Sequence, residues 1–196
     1  MKLRIRYNSP VILTFAIVSA VVLLIDQLTG GAFIRTFFTL QPTFTASSPL
    51  SWMRLVTYVI GHANWAHLIG NFSFILLIGP VLEEKYGSVP LLLMMIVTAL
   101  ATAILNILVV RNGLLGSSGI VFMLILLSSF TNIRQGEIPI TFLLIVVLYL
   151  VREFVNALTP STVSQLAHIA GGVVGGLFGF LFSKPGAKPA LPEVKE

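Results

Sequence analysis

The sequence predicts an all-α polytopic membrane protein, a bundle of six transmembrane helices. Three observations carry that prediction. Of the 196 residues, 56% are hydrophobic and only 10% are charged, whereas a soluble domain carries about a quarter charged residues. Mean hydropathy is +0.98, and apolar runs close to the length of a membrane span recur along the chain. No polar stretch is long enough to form a second domain. One helical domain over residues 11–183 is therefore expected, between a short cytoplasmic N-terminus (1–10) and a disordered cytoplasmic tail (184–196).

The elements follow in order. The first span, Val11 to Leu28, comes after the basic segment Met1–Pro10. It is long enough to cross a bilayer, and no small-x-small cleavage site follows, so a retained helix is expected rather than a signal peptide. The segment Thr29 to Asn64 is too long for a structureless loop. It interleaves Phe33, Phe37, Phe38, Phe44, Trp52 and Tyr58 with polar residues, which places it in the outer headgroup region. The second and third spans, Trp65–Leu82 and Val89–Val110, end at Gly87-Ser88 and Asn112-Gly113. The fifth and sixth, Ile138–Val155 and Val163–Ser183, are divided by Thr159-Pro160. In lipid each span must be a helix, because backbone groups there need internal partners.

The fourth span, Ser118 to Thr131, is the odd one. At about 14 residues it reaches roughly 21 Å, short of the roughly 30 Å hydrocarbon core. If it ends at Asn132-Ile133-Arg134, Ser118 begins a helix some 10 Å below the surface, by the same rise per residue. The backbone from Asn112 to Gly116 must then dip inward, which is tolerated only beside protein or a wet cavity.

Orientation follows from the basic residues. With the N-terminus inside, Lys2, Arg4, Arg6, Lys85, Arg134, Lys184, Lys188 and Lys195 are cytoplasmic, while Arg35, Arg54, Arg111 and Arg152 are external. That bias is the membrane-orienting kind and does not point to nucleic acid, so the net charge of +5 reads as topology. Ser118 and His168 then lie at matching depth from the external side, and so do His67 and Asn71.

Polar groups at that depth suggest chemistry. Ser118 is flanked by Gly116 and Gly119, which allow a sharp turn and close backbone approach; Ser117 competes with it as nucleophile. His168 shares a helical face with Gly171, Gly175 and Gly179, a small-residue stripe suited to tight helix packing. Gly172 and Gly176 offer a parallel stripe, so either can form the seam. A histidine with an ordinary pKa of about 6.5 can act as general base and then acid. His67 and Asn71, four apart in the second span, read either as oxyanion donors or as a polar helix clamp. With no cysteine, disulfides and thiolate chemistry are excluded. A metal site at His62, His67 and His168 is disfavoured, since positions five apart do not share a helical face. The acidic residues Asp26, Glu83, Glu84 and Glu153 also sit at span ends. No cofactor is expected.

Three motifs in order, His67-x-x-x-Asn71, Gly116-x-Ser118-Gly119 and His168-x-x-Gly171-x-x-x-Gly175, together resemble the rhomboid family of intramembrane serine proteases, in its bacterial six-span form. Glu83-Glu84-Lys85-Tyr86-Gly87 resembles that family's Glu-x-x-x-Gly turn. The resemblance implies a Ser118–His168 dyad without an acid, with His67, Asn71 and the Ser118 N–H binding the oxyanion. It also implies that Phe122 lies beneath the histidine ring, and that Arg54 stands in the family's first loop while Trp52 is displaced by one position. Implied too are transmembrane protein substrates cut near the external face, a lipid bilayer as setting, and residence in a bacterial inner membrane. Two other functions are weighed against it. A non-catalytic rhomboid-like escort factor would bind membrane proteins without cutting them, and a small transporter would line a through-path, whereas here the polar residues cluster at one depth.

Overall fold

The computed structural model describes residues 7–133, 140, 143–144, 147–148, 151 and 165–182, with backbone alone at 110, 130–133, 165–169, 179–180 and 182. The expected cytoplasmic N-terminus (in part), the tail from 184 and most of the fifth span lie outside those residues.

Among the described residues the regular elements are helices, with one isolated antiparallel bridge between Leu40 and Leu114. Helix α1 is Pro10–Leu28, α2 Ala32–Phe37, α3 Pro49–Thr57, α4 Trp65–Tyr86, α5 Ser88–Leu105, α6 Ser118–Ile133 and α7 Gln165–Phe182. Each long helix starts where its sequence allows. Pro10 opens α1, where a missing N–H costs nothing. Asn64 caps α4, its Oδ1 accepting the His67 N–H at 2.8 Å. Gly87 ends α4 with φ 88°, a conformation that favours glycine. By length and apolarity α1, α4 and Ser88–Val109 can each cross a membrane. Their apolar residues divide into a packed set, including Ile12, Leu23, Ile75, Leu91 and Met94, and an outward set, including Leu24, Leu77, Val81, Leu93 and Leu108. A helix that is apolar all round but buried on one side only is suited to lipid. Ile140, Leu143, Leu144, Val147, Leu148 and Val151 are helical and exposed, at the spacing of one outward helix face.

Two differences from the sequence reading concern extents. Helix α6 has 16 residues, or roughly 24 Å, still less than the roughly 30 Å of a hydrocarbon core. The segment before the second span holds two short helices, α2 and α3, and is tied internally. The Arg54 guanidinium donates to the Thr36 carbonyl, Trp52 Nε1 donates to the Ala46 carbonyl at 3.0 Å, and Phe44 meets Trp52 edge-on at 4.9 Å. Hydropathy alone does not register six- and nine-residue helices in a stretch of mixed aromatic and polar residues.

At the opposite end from the candidate site, Glu83 is buried and joins three helices. Its oxygens accept the Val11 and Ile12 N–H groups at 3.0 Å each and the Ser88 hydroxyl at 2.7 Å. A carboxylate on the open amides of a helix N-terminus meets both unsatisfied donors and the positive end of the dipole. Gly79 completes that joint, because a Cβ there would lie 2.6 Å from Ile12 Cδ1.

Candidate active site

The site begins with how the chain reaches Ser118. Helix α5 widens into a π-turn, Asn106–Val110, ending at Arg111 in the left-handed region with φ 55°. Asn106 Nδ2 donates to the Asn112 carbonyl at 2.8 Å. Leu40 and Leu114 exchange backbone hydrogen bonds at 2.9 and 3.0 Å, and the Gly116 N–H donates to the Tyr58 carbonyl at 3.0 Å. The backbone between α5 and α6 thus finds its partners in Asn106 and in the segment before α4, as burial of peptide groups requires.

Gly116 then turns with φ 109°, and a Cβ there would stand 2.7 Å from His67 Cε1, 2.8 Å from His67 Nε2 and 3.8 Å from Asn71 Nδ2. So His67 and Asn71, one turn apart on α4, both face the backbone two residues before Ser118. Asn71 is buried, and its Nδ2 has no hydrogen-bond partner among the described residues. A buried amide donor left unpaired costs roughly 1–3 kcal/mol, a cost that a ligand oxygen at that position would relieve. Ser118 itself is the first residue of α6 and half-buried.

Helix α7 packs chiefly on α6. A Cβ on Gly171 would fall 2.1 Å from the Gly119 carbonyl oxygen, and one on Gly175 would fall 2.6 Å from the Met123 carbonyl oxygen. Each step of four along α7 matches a step of four along α6, so the two helices run parallel. Of the two glycine stripes, Gly171–Gly175 is the seam. Gly172 lies beside it against the Phe122 ring, at 2.6 Å from a notional Cβ. His168 is helical and three residues before Gly171, hence one turn nearer the start of α6 on the seam face. Its side chain lies outside the described residues.

Sequence reasoning missed one pair. Ser117 and His62 are both fully buried, and Ser117 Oγ lies 3.1 Å from His62 Nε2. His62 also packs edge-on against the His67 ring, with centroids 5.0 Å apart. The expected separation of positions five apart does not hold, because His62 precedes the start of α4 and helical spacing does not apply to it. A serine beside a glycine turn and a histidine just upstream of a helix were visible as residues. Only the fold brings them together, across 55 positions of sequence.

A family model for the Rhomboid domain matches residues 49–185, well over half of the chain. The chain belongs to the rhomboid family. It is 29% identical over 150 residues to Rhomboid-like protein 11, chloroplastic, of Arabidopsis thaliana, a match that takes in 68% of this chain and 54% of that protein. It is 25% identical over 134 residues to Rhomboid protease GlpG of Haemophilus influenzae, with 67% and 70% covered. The chain thus spans about half the length of the first of these relatives. Family and apolar helices together make this rhomboid an integral membrane protein.

Two expectations arise from the geometry of this rhomboid's site. Gly116→Ala adds a Cβ into the His67 ring and forces a left-handed φ on a non-glycine residue, a backbone cost of about 1–3 kcal/mol. Any activity of the site is expected to fall by about a hundredfold, because ångström-scale displacement of working groups is that costly. The rate per mole of folded protein, measured beside the thermal midpoint, checks this.

The second expectation concerns pH. Burial, with the neighbouring His67 adding to it and the Ile60 carbonyl opposing it, pushes His62 down to about 4. An unfolded histidine titrates near 6.5, so between those values the unfolded chain binds the extra proton. Stability is therefore fully present above about pH 6.5 and is lost as pH falls toward 4, by roughly 3 kcal/mol at most. Thermal midpoints in detergent across that window should decline, and the decline should flatten in His62→Gln.

Proposed function

We propose that this rhomboid is an intramembrane serine endopeptidase, with Ser118 as nucleophile and His168 as general base and acid. The observation that carries the reading is the convergence on one turn of backbone, 116–119. His67 and Asn71 on α4 meet it at Gly116, and the glycine seam of α7, one turn after His168, meets it at Gly119. Ser118 Oγ attacks a substrate carbonyl while its proton passes to His168. The oxyanion is held by Asn71 Nδ2, His67 and the Ser118 N–H, an arrangement that commonly contributes roughly 3–4 kcal/mol per donor. Return of the proton to the departing amine cleaves the C–N bond and leaves an acyl-enzyme. Water, deprotonated by the same histidine, releases it. Ser117 is the less suited serine, because it is fully enclosed while Ser118 is half-buried.

The substrates proposed are single membrane spans cut near their external ends, in a bacterial inner membrane, with both termini of the protease cytoplasmic. A helical substrate keeps its carbonyls in hydrogen bonds, so cleavage requires local unwinding and a small residue at the scissile position. The test is the purified protein in liposomes with a single-span substrate and its more stably helical variant carrying the same site. Products of defined mass, formed at least about tenfold faster from the weaker helix, support the reading, tenfold corresponding to about 1.4 kcal/mol of unwinding cost. Equal rates contradict the unwinding step. Capture of the substrate without products marks an escort factor instead.

A further inference from the structure

The buried Ser117–His62 contact has no role in the chemistry proposed above, yet it touches both halves of the site. Its protonation pattern follows from its partners. His62 Nδ1 lies 3.0 Å from the Ile60 carbonyl oxygen, which only accepts, so Nδ1 carries the ring proton in the neutral form. Nε2 is then an acceptor, and the Ser117 hydroxyl donates to it at 3.1 Å. His62 itself is held in place. Gly61, its neighbour in sequence, approaches Phe38 so closely that a Cβ would lie 2.5 Å from the Phe38 carbonyl oxygen, and the Phe72 ring sits 5.7 Å from the imidazole.

The position of Ser117 gives the contact its leverage. The Ser117 carbonyl accepts the Val121 N–H at 3.0 Å, the first bond of α6, so Ser117 is the N-cap residue. Its hydroxyl reaches out of the helix to the segment before α4. On the same side, the His62 ring backs the His67 ring, and His67 in turn lies against Gly116. One hydrogen bond therefore ties the turn that presents Ser118 to the ring behind the expected oxyanion donor.

We infer that Ser117 and His62 are positioning residues, a brace that holds the start of α6 against the segment before α4 and keeps Ser118 in register with His67 and Asn71. The inference rests on Ser118 being the nucleophile. Removing the brace leaves the fold, because Ser117→Ala deletes a single oxygen, but it lets the first turn of α6 shift relative to α4. The loss falls on the chemical step rather than on substrate capture, since the brace is enclosed and touches no substrate.

The test is a double-mutant cycle on kcat and KM with a single-span substrate in liposomes, with thermal midpoints recorded beside it. Ser117→Ala is expected to lower kcat by about tenfold, as sub-ångström misplacement does, with KM within about twofold of wild type. His62→Gln, which keeps an acceptor near the Nε2 position, loses less kcat than His62→Leu. The double variant Ser117→Ala/His62→Leu is no slower than His62→Leu alone, because partners in one interaction are not additive. Wild-type kcat in Ser117→Ala, a loss confined to KM, or additive losses in the double variant overturn the brace and leave the protease reading intact. Cleavage retained in Ser118→Ala but lost in Ser117→Ala overturns the assignment of Ser118 as nucleophile, and with it the brace.

Discussion

Ser118→Ala and His168→Ala are each expected to lower substrate cleavage by at least about a thousandfold, while the thermal midpoint stays within a few degrees of wild type. Losing the nucleophile removes the covalent route outright, and losing the base leaves a serine hydroxyl that is a poor nucleophile at neutral pH. The double variant should be no slower than either single one, because residues that act as a unit lose together. Stability is expected to hold because Ser118 sits at the half-buried start of α6 and its replacement by alanine leaves no cavity. Initial rates of product formation, with a detection range of four decades, check this. A residual rate above about one-hundredth of wild type in either single variant removes that residue from the chemistry, since general-base and nucleophile roles are worth more than that.

Gly171→Val is expected to cost both stability and activity. Even the Cβ of alanine at that position would lie 2.1 Å from the Gly119 carbonyl oxygen, with the Gly119 Cα and carbonyl carbon within 2.9 Å. Those neighbours are backbone, and no side-chain rotation relieves them, so α7 must move away from α6. Overpacking a well-packed core costs about 1–3 kcal/mol, and a forced helix separation belongs at the upper end or beyond. The same movement carries His168, one turn away, off the start of α6. The control is Gly70→Ala on α4, where a Cβ meets nothing within 4 Å. There the helix gains propensity of up to about 1 kcal/mol, and stability should be unchanged or improved. Comparable thermal midpoints for the Gly171 and Gly70 variants would mean that the seam is not where the glycines place it.

Much of this was legible in the residues, and the exceptions have physical causes. The shortness of the fourth apolar helix came from length alone, and the observed α6 of 16 residues agrees. The pairing of the fourth and sixth spans was not derivable from spacing, since a small-residue stripe says that some helix packs there and not which one. The register of Gly171 on Gly119 is tertiary information. Two stripes were open, and only the backbone contact selects one. The segment before α4 was expected to carry structure from its length, but α2 and α3 were too short for periodicity to reveal. His62 illustrates the limit most sharply. Counting along an imagined helix set it apart from His67, whereas the chain from Tyr58 to Ala63 is not helical and folds it back edge-on to that ring. Glu83 was marked as a residue at a span end, and its capping of α1 from 71 positions away follows from packing.

The most direct measurement is the site of covalent modification by a fluorophosphonate, located by fragmentation mass spectrometry on the wild-type protein in detergent. The adduct is predicted on Ser118, with none on Ser117, and with the rate of labelling greatly reduced in His168→Ala. An adduct on Ser117, or no adduct under conditions where the protein cleaves a transmembrane substrate, would contradict the Ser118 hydroxyl as the attacking group.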